Sequence, residues 1–276
     1  MNTVSLPSSG GEQIDPGAIA FYRHVLEILD TADLRFLVGG AYAFNHYTGI
    51  GRYTKDLDLF IRRRDYERVS EALNRGGYPT DLTYPHWLAK THSSTGVYVD
   101  IIFSSGNGIA EVDDVWFAHA EPAQVLDLPA RLCPVEEMIW SKAFVMERER
   151  FDGADVAHLL RACGDRLDWE RLRWRFGPHW RVLLSHFILF GFIYPGRRDA
   201  LPVHIMEELL ERLRDELRAP RPEDTVCAGT LLSREQYLPD IEQWRYQDAR
   251  LLPAGNMSAQ DTALWTKAIE NRNPPR

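Results

Sequence analysis

The sequence is poor in cysteine, and its few thiols are not arranged for cross-linking or for metal binding. The 276 residues include three cysteines, Cys133, Cys163 and Cys227. They are odd in number, widely separated and form no CxxC pair, so the sequence predicts neither a disulfide framework nor a zinc site. Reduced thiols are typical of a cytosol, and we expect a cytoplasmic location.

The chain also lacks a long hydrophobic run. The most apolar stretch, residues 182–194, contains Ser185 and His186 and is shorter than the ~20 residues that a membrane-spanning helix needs. We expect a buried core helix there and no membrane partner. The N-terminal residues have no basic and apolar pattern, so no signal peptide is predicted. We expect residues 1–14 to be disordered.

Excess positive charge and the common nucleotide-binding motifs are absent as well. The net charge is −8 and the pI about 5.6, which argues against broad electrostatic binding to nucleic acid. The sequence has no GxGxxG and no GxxxxGK[ST], so it predicts neither a dinucleotide-binding fold nor a P-loop. Apolar content of 45% and charged content of 26% are ordinary for a globular protein.

Strand and helix patterns alternate in the first half of the chain, and helical patterns dominate after Pro134. The predicted fold class is therefore α+β, with a mixed sheet and flanking helices followed by a helical domain. We expect a mixed domain at 15–133, a helical domain at 134–218 and a C-terminal extension at 219–276.

The segment "DLDLF" contains two aspartates in what otherwise reads as a buried strand. Residues i and i+2 of a strand point to the same face, so Asp56 and Asp58 project together, with Cα atoms ~6.6 Å apart. Asp100 lies in a second apolar strand pattern, "VYVDIIF". Lone buried carboxylates are costly unless they are paired or bind metal, and oxygen ligands suit Mg²⁺. For Asp56, a plain turn-capping role is an equal alternative.

A glycine pair, Gly39 and Gly40, ends one predicted strand and begins a helix. Such a turn brings backbone N–H groups close to a ligand, and a helix N-terminus favours anions. A triphosphate would fit there, although a tight turn that needs positive φ would also explain the glycines.

The combination of "VGG", a fifteen-residue spacer, "DLDL" and a later "VDI" resembles the nucleotidyltransferases of the DNA polymerase β superfamily. The stretch "GRYTKDLDLF" is most similar to the bacterial branch that holds antibiotic nucleotidyltransferases and AbiEii-type toxins. The resemblance covers residues 34–103 well and extends loosely along a later segment, "PVEEMIWSKAFVMERERFDGADVAHLL".

The resemblance implies a nucleotidyltransferase-like sheet and transfer of a nucleoside monophosphate from an NTP, such as ATP, to a hydroxyl acceptor, with release of pyrophosphate. Asp56, Asp58 and Asp100 would be the catalytic residues and the ligands of two Mg²⁺ ions. The residues expected to contact the nucleotide are Gly39, Gly40, Arg52, Lys55 and Lys142.

In the later segment, the resemblance gives Lys142 a phosphate-binding role and matches its aspartate partner to Asp155 or to Asp152. A solvated lysine on a helix face is an equal alternative. Asp152 would also serve as a helix N-cap.

The sequence leaves the acceptor open. The resemblance offers a small hydroxylated molecule such as an aminoglycoside or lincosamide, or an RNA or protein in a toxin-like system with an antitoxin partner. The stretch "WERLRWRFGPHWR" resembles a basic, aromatic RNA surface, but an amphipathic helix with snorkelling arginines is the favoured interpretation. Two alternatives to transfer are a catalytically inactive nucleotide-binding or interaction module on the same fold and hydrolysis of the nucleotide.

Overall fold

The computed structural model describes residues 15–51, 54, 56–220 and 225–268. The predicted disorder of residues 1–14 and the predicted roles of Arg52 and Lys55 lie outside the described residues. The chain divides into two compact units, Met1–Pro134 and Val135–Arg276. The finer division of the second half into a helical domain and an extension stays a prediction.

The first unit combines a seven-stranded mixed sheet with flanking helices, so the predicted fold class is confirmed. The strands are β1 Leu37–Val38, β2 Leu57–Phe60, β3 Thr80–Tyr84, β4 Leu88–His92, β5 Tyr98–Ile102, β6 Glu121–Val125 and β7 Leu128–Leu132. The helices are α1 Pro16–Thr31, α2 Gly40–Thr48, α3 Tyr66–Arg75 and α4 Asp114–Ala118.

The strands lie in the order β3-β4-β5-β2-β1-β7-β6. β2 runs parallel to β5 and β1 parallel to β7, while the other neighbours are antiparallel. The two parallel pairs join strands that are far apart in sequence, and β2 and β5 occupy the middle of the sheet. A central strand is covered on its apolar face, which explains why Leu57, Leu59 and Ile61 have no exposed surface.

The helices of the first unit begin and end where their residues predict. Pro16 opens α1, as expected for a proline in a first helical turn. α2 ends at Gly49, which has a φ of 70° and caps the helix in the left-handed conformation. α3 ends at Arg75 and is followed by two consecutive glycines, Gly76 and Gly77.

The second unit is mainly helical. Its helices are α5 Val135–Ala143, α6 Gly153–Cys163, α7 Trp169–Phe176, α8 Trp180–Ile193, α9 Val203–Arg218, α10 Leu238–Glu242 and α11 Ala259–Lys267, and its two short strands are β8 Val226–Cys227 and β9 Gln247–Asp248. Helix α5 ends at Ala143, because the following residues fold back through a bridge between Met146 and Phe151. Residues 144–150 are therefore not helical.

Helix α8 coincides with the most apolar stretch, but the prediction of a buried helix is wrong for one of its faces. Phe187 and Phe190 are buried, whereas Ile188 and Phe192 are 59% and 85% exposed. Among the described residues, no helix is both long enough and apolar enough to cross a membrane.

The arginine-rich stretch of α7 is tied into the unit by carboxylates. Arg171 Nη1 lies 2.7 Å from Glu137 Oε2, and Arg171 also pairs with Glu136. Arg175 Nε lies 2.9 Å from the other oxygen of Glu137, whose side chain has no exposed surface. Burial raises the pKa of Glu137, and the two guanidinium groups oppose that rise. Arg175 is buried and the Arg171 side chain is 10% exposed, so both arginines are structural partners of Glu137, in line with the amphipathic-helix interpretation.

We predict that Glu137→Ala destabilises the protein by about 3–5 kcal/mol, since it leaves buried guanidinium charge uncompensated. Urea unfolding followed by circular dichroism measures the change. Glu170→Ala is the matched control, because Glu170 is 63% exposed in its pair with Arg173 and such surface pairs contribute about 0–1 kcal/mol. Equal losses for the two variants would contradict the structural role of Glu137.

Candidate functional site

The first unit brings two of the three predicted aspartates side by side. In the parallel pairing of β2 with β5, Asp58 is the direct partner of Asp100, and Leu57 is the partner of Val99. Residues paired directly on neighbouring strands share a face of the sheet. Asp58 and Asp100 are therefore adjacent on one face, while Leu57 and Val99 are buried on the other.

Asp56 comes immediately before β2. The Thr54 hydroxyl donates a hydrogen bond to its carboxylate, which fits the turn-capping alternative. Its charge also reaches the rest of the face. Burial raises the pKa of Asp100 against the lowering effect of the Lys90 ammonium, and the nearby negative charge of Asp56 adds to the rise. Asp56 is therefore both a turn residue and a neighbour of the aspartate pair.

The glycine pair lies directly against this face. The Gly39 N–H donates to the Asp58 carbonyl oxygen at 3.0 Å, and Gly40, with a φ of 53°, begins α2. A Cβ atom on Gly40 would lie 1.7 Å from Asp58 Oδ2, and one on Gly39 would lie 2.3 Å from the Phe60 ring. Both glycines are thus required by close contact, and the N-terminus of α2 approaches the Asp58 carboxylate, an arrangement that its dipole favours.

Two further residues near these carboxylates were not predicted as site residues. Lys90 on β4 is the direct antiparallel partner of Asp100 and forms an ion pair with its Oδ1 atom. Tyr42 on α2 is buried, and its hydroxyl has no hydrogen-bond partner among the described residues. Burial and the charge of Asp56 raise the pKa of Tyr42 to about 12. Tyr42 is therefore a protonated phenol, able to donate a hydrogen bond beside Asp56.

Some of the carboxylates near this face suit a divalent cation, whereas one is already engaged with a lysine. Carboxylate oxygens of Asp56 and Asp58 are the ligands that Mg²⁺ prefers. Asp100 already has the Lys90 ammonium on one oxygen. No three histidine, cysteine, aspartate or glutamate side chains in the described ranges are arranged as they would be around a metal ion. The assignment of Asp56, Asp58 and Asp100 as metal ligands stays a prediction.

Lys142, in the second unit, is held by two carboxylates. Its Nζ lies 3.1 Å from Asp152 Oδ2 and 2.8 Å from Asp155 Oδ2. Burial works to raise the pKa of Asp152, but the hydrogen bonds from Arg150 and the charge of Lys142 hold it below its usual range. Both aspartates predicted as alternatives therefore contact the lysine. Phosphate binding by Lys142 stays a prediction.

Residues 22–115 match the family model described as aminoglycoside-2''-adenylyltransferase, which is less than half of the chain. The matched region contains the glycine pair and all three aspartates. The match confirms the resemblance to the nucleotidyltransferase superfamily, near the antibiotic nucleotidyltransferases. The match supports nucleotidyl transfer as the general chemistry.

Solved structures of such enzymes are also similar to this chain. The solution structure of the antibiotic-resistance factor ANT(2'')-Ia matches 63% of this chain and 98% of its own, at 17% identity and a TM-score of 0.42. Lincomycin-bound LnuA, a lincosamide antibiotic adenylyltransferase, matches 54% of this chain and 98% of its own, at 14% identity and a TM-score of 0.37.

A nucleotidyltransferase-like protein from Paracoccidioides brasiliensis matches 63% of this chain and 93% of its own, at 13% identity and a TM-score of 0.36. Likeness at these levels carries no argument about activity or substrate. The search of curated proteins gave no match.

The close contact at Gly40 predicts a loss of stability on substitution, and Gly49 provides the control. Gly40→Ala and Gly49→Ala both force an alanine into the left-handed region, at a cost of about 1–2 kcal/mol. A Cβ at Gly49 meets nothing within 4 Å, whereas one at Gly40 must displace Asp58, which adds about 1–3 kcal/mol. Thermal unfolding of both variants measures the difference. Equal destabilisation would contradict the contact between Gly40 and the Asp58 carboxylate.

Proposed function

We propose that the protein is a nucleotidyltransferase that moves a nucleoside monophosphate from an NTP to a hydroxyl group of a small acceptor. One observation carries the proposal: Asp58 and Asp100 are direct partners on parallel strands, at the glycine turn, inside the region that matches the adenylyltransferase family model. A face of this kind provides the acidic groups and the helix N-terminus that phosphate chemistry uses.

In the proposed reaction, the acceptor oxygen forms a bond to the α-phosphorus of the NTP. The bond from that phosphorus to the oxygen that bridges it to the β-phosphate breaks, and pyrophosphate leaves with the bonding electron pair. The hydroxyl proton passes to Asp100, which acts as the general base. Because catalysis consists largely of positioning and charge neutralisation, the rigid strand pairing is suited to it.

The other aspartates, the glycine pair and Tyr42 have separate roles in this proposal. Asp56 and Asp58 would hold a divalent cation, which would supply neutralisation of the phosphate charge. Gly39 and Gly40 let the phosphates approach the backbone at the N-terminus of α2. Tyr42, which stays protonated at neutral pH, is placed to donate a hydrogen bond beside Asp56.

The acceptor we propose is a small polyhydroxylated molecule of the aminoglycoside class, because that is the class in the description of the matching family. The net charge of −8 favours a cationic small molecule over RNA. The arginines that would have made an RNA surface of α7 are engaged with carboxylates, including Glu137 and Glu208. An RNA acceptor and an antitoxin partner stay predictions without further support.

We predict that Asp58→Asn lowers metal-dependent binding of a non-hydrolysable NTP analogue by at least about 100-fold, since even outer-shell partners of a metal contribute 10–100-fold. Calorimetric titration with and without Mg²⁺ measures the affinity and names the preferred nucleotide. Asp127→Asn is the control, because Asp127 is 82% exposed in the turn between β6 and β7, at the β6 edge of the sheet, and the variant should bind like the unmodified protein.

Pyrophosphate release in the presence of aminoglycosides then tests transfer. Release that requires the acceptor supports transfer, whereas release of nucleoside monophosphate without it identifies a hydrolase. Metal-dependent binding with no turnover for any hydroxylated acceptor favours the inactive binding module. Unchanged nucleotide affinity in Asp58→Asn would refute the role assigned to that carboxylate.

A further inference from the structure

Lys90 places a positive charge on the aspartate face, the face of the sheet that contains Asp58 and Asp100. Strands β4 and β5 pair through five consecutive residues, and this register sets Lys90 directly opposite Asp100. Its ammonium forms an ion pair with Asp100 Oδ1, and the Lys90 and Asp100 side chains are 23% and 16% exposed. The pair is thus largely withdrawn from water, where opposite charges attract more strongly than at a surface.

The ammonium is also held from a second direction. Lys90 Nζ lies 3.9 Å from the centre of the Tyr98 ring. Tyr98 is two residues before Asp100 on β5, so both side chains lie on the same face of the sheet. A cation over an aromatic ring is stabilised by the ring electrons. Lys90 therefore has a defined position, fixed by the strand register, the carboxylate and the ring.

The Lys90 ammonium occupies the position beside Asp100 that a second metal ion would need. An ion shared by Asp58 and Asp100 would bind carboxylate oxygens on the face where the ammonium already neutralises Asp100. A dication there would be a like-charged neighbour of Lys90, and such neighbours repel most strongly in a partly buried site. Asp56 and Asp58 provide a separate pair of carboxylates, whose oxygens are ligands that Mg²⁺ prefers.

We propose that Lys90 acts as a fixed cation in place of a second metal ion on Asp100. The inference rests on the proposed function and makes it more specific: the enzyme uses one divalent ion, held by Asp56 and Asp58, rather than the two implied by the resemblance. Lys90 is then a positioning residue, since it acts through Asp100 by fixing the direction and the charge of that carboxylate.

The test is to count the ions bound. We expect one Mn²⁺ per chain when the unmodified protein is titrated in the presence of a saturating non-hydrolysable NTP analogue, with free Mn²⁺ measured by electron paramagnetic resonance. Lys90→Met removes the charge at similar length and should bind a second Mn²⁺. Lys90→Arg keeps the charge and should bind one.

The double variant Lys90→Met with Asp100→Asn locates the second ion. The double variant removes the Lys90 and Asp100 charges together, so neither charge is left buried without its partner. Its folding therefore does not depend on whether Lys90→Met folds. We expect it to bind one Mn²⁺ with the affinity of the unmodified protein. Loss of that remaining ion would show that Asp100 is a ligand and would overturn the inference.

Two further outcomes separate the inference from the proposed function. Two ions in the unmodified protein, or one ion in folded Lys90→Met, would overturn the role of Lys90 and leave metal-dependent nucleotide binding intact. Failure of the unmodified protein to bind any NTP analogue with metal would instead remove the proposed function, and the inference with it.

Discussion

The parallel pairing of β2 with β5 is the constraint on which the candidate site depends. It joins segments about forty residues apart in sequence and sets Asp58 beside Asp100. The same register buries Leu57 and Val99 on the opposite face. A slip of one residue would turn a carboxylate into the apolar core and a leucine out of it. The hydrophobic effect that stabilises the sheet therefore also fixes the acidic pair.

Close packing at the glycine turn connects α2 to the same pair. The Gly39 N–H bonds to the Asp58 backbone, and Gly40 leaves no room for a side chain beside the Asp58 carboxylate. The acidic face is therefore bounded by a helix N-terminus on one side and by the Lys90 ammonium on the other. Both contribute positive potential next to carboxylates that would otherwise repel one another.

In the second unit, several arginine and lysine side chains are paired with carboxylates. A basic stretch of sequence therefore does not by itself indicate a free, positively charged surface. Arg171 and Arg175 converge on buried Glu137, and Lys142 is shared by Asp152 and Asp155. Buried charges of this kind are retained only when they are paired. The C-terminal segment adds to this pattern, because its Ser233 and Arg234 bond to Glu147 in the turn that follows α5.

The sequence by itself determined the features that are local. Pro16 predicted where α1 begins, and Gly40 and Gly49 predicted where α2 begins and ends, because backbone geometry fixes these relations locally. Period-two alternation predicted that the side chains of Asp56 and Asp58 point to one face, and the structure begins β2 at Leu57, between them. Only the tertiary structure decided which strand lies beside which. The pairing of Lys90 with Asp100, the buried position of Tyr42 and the early end of α5 at Ala143 depend on contacts between distant segments, and neither composition nor periodicity encodes the register between them.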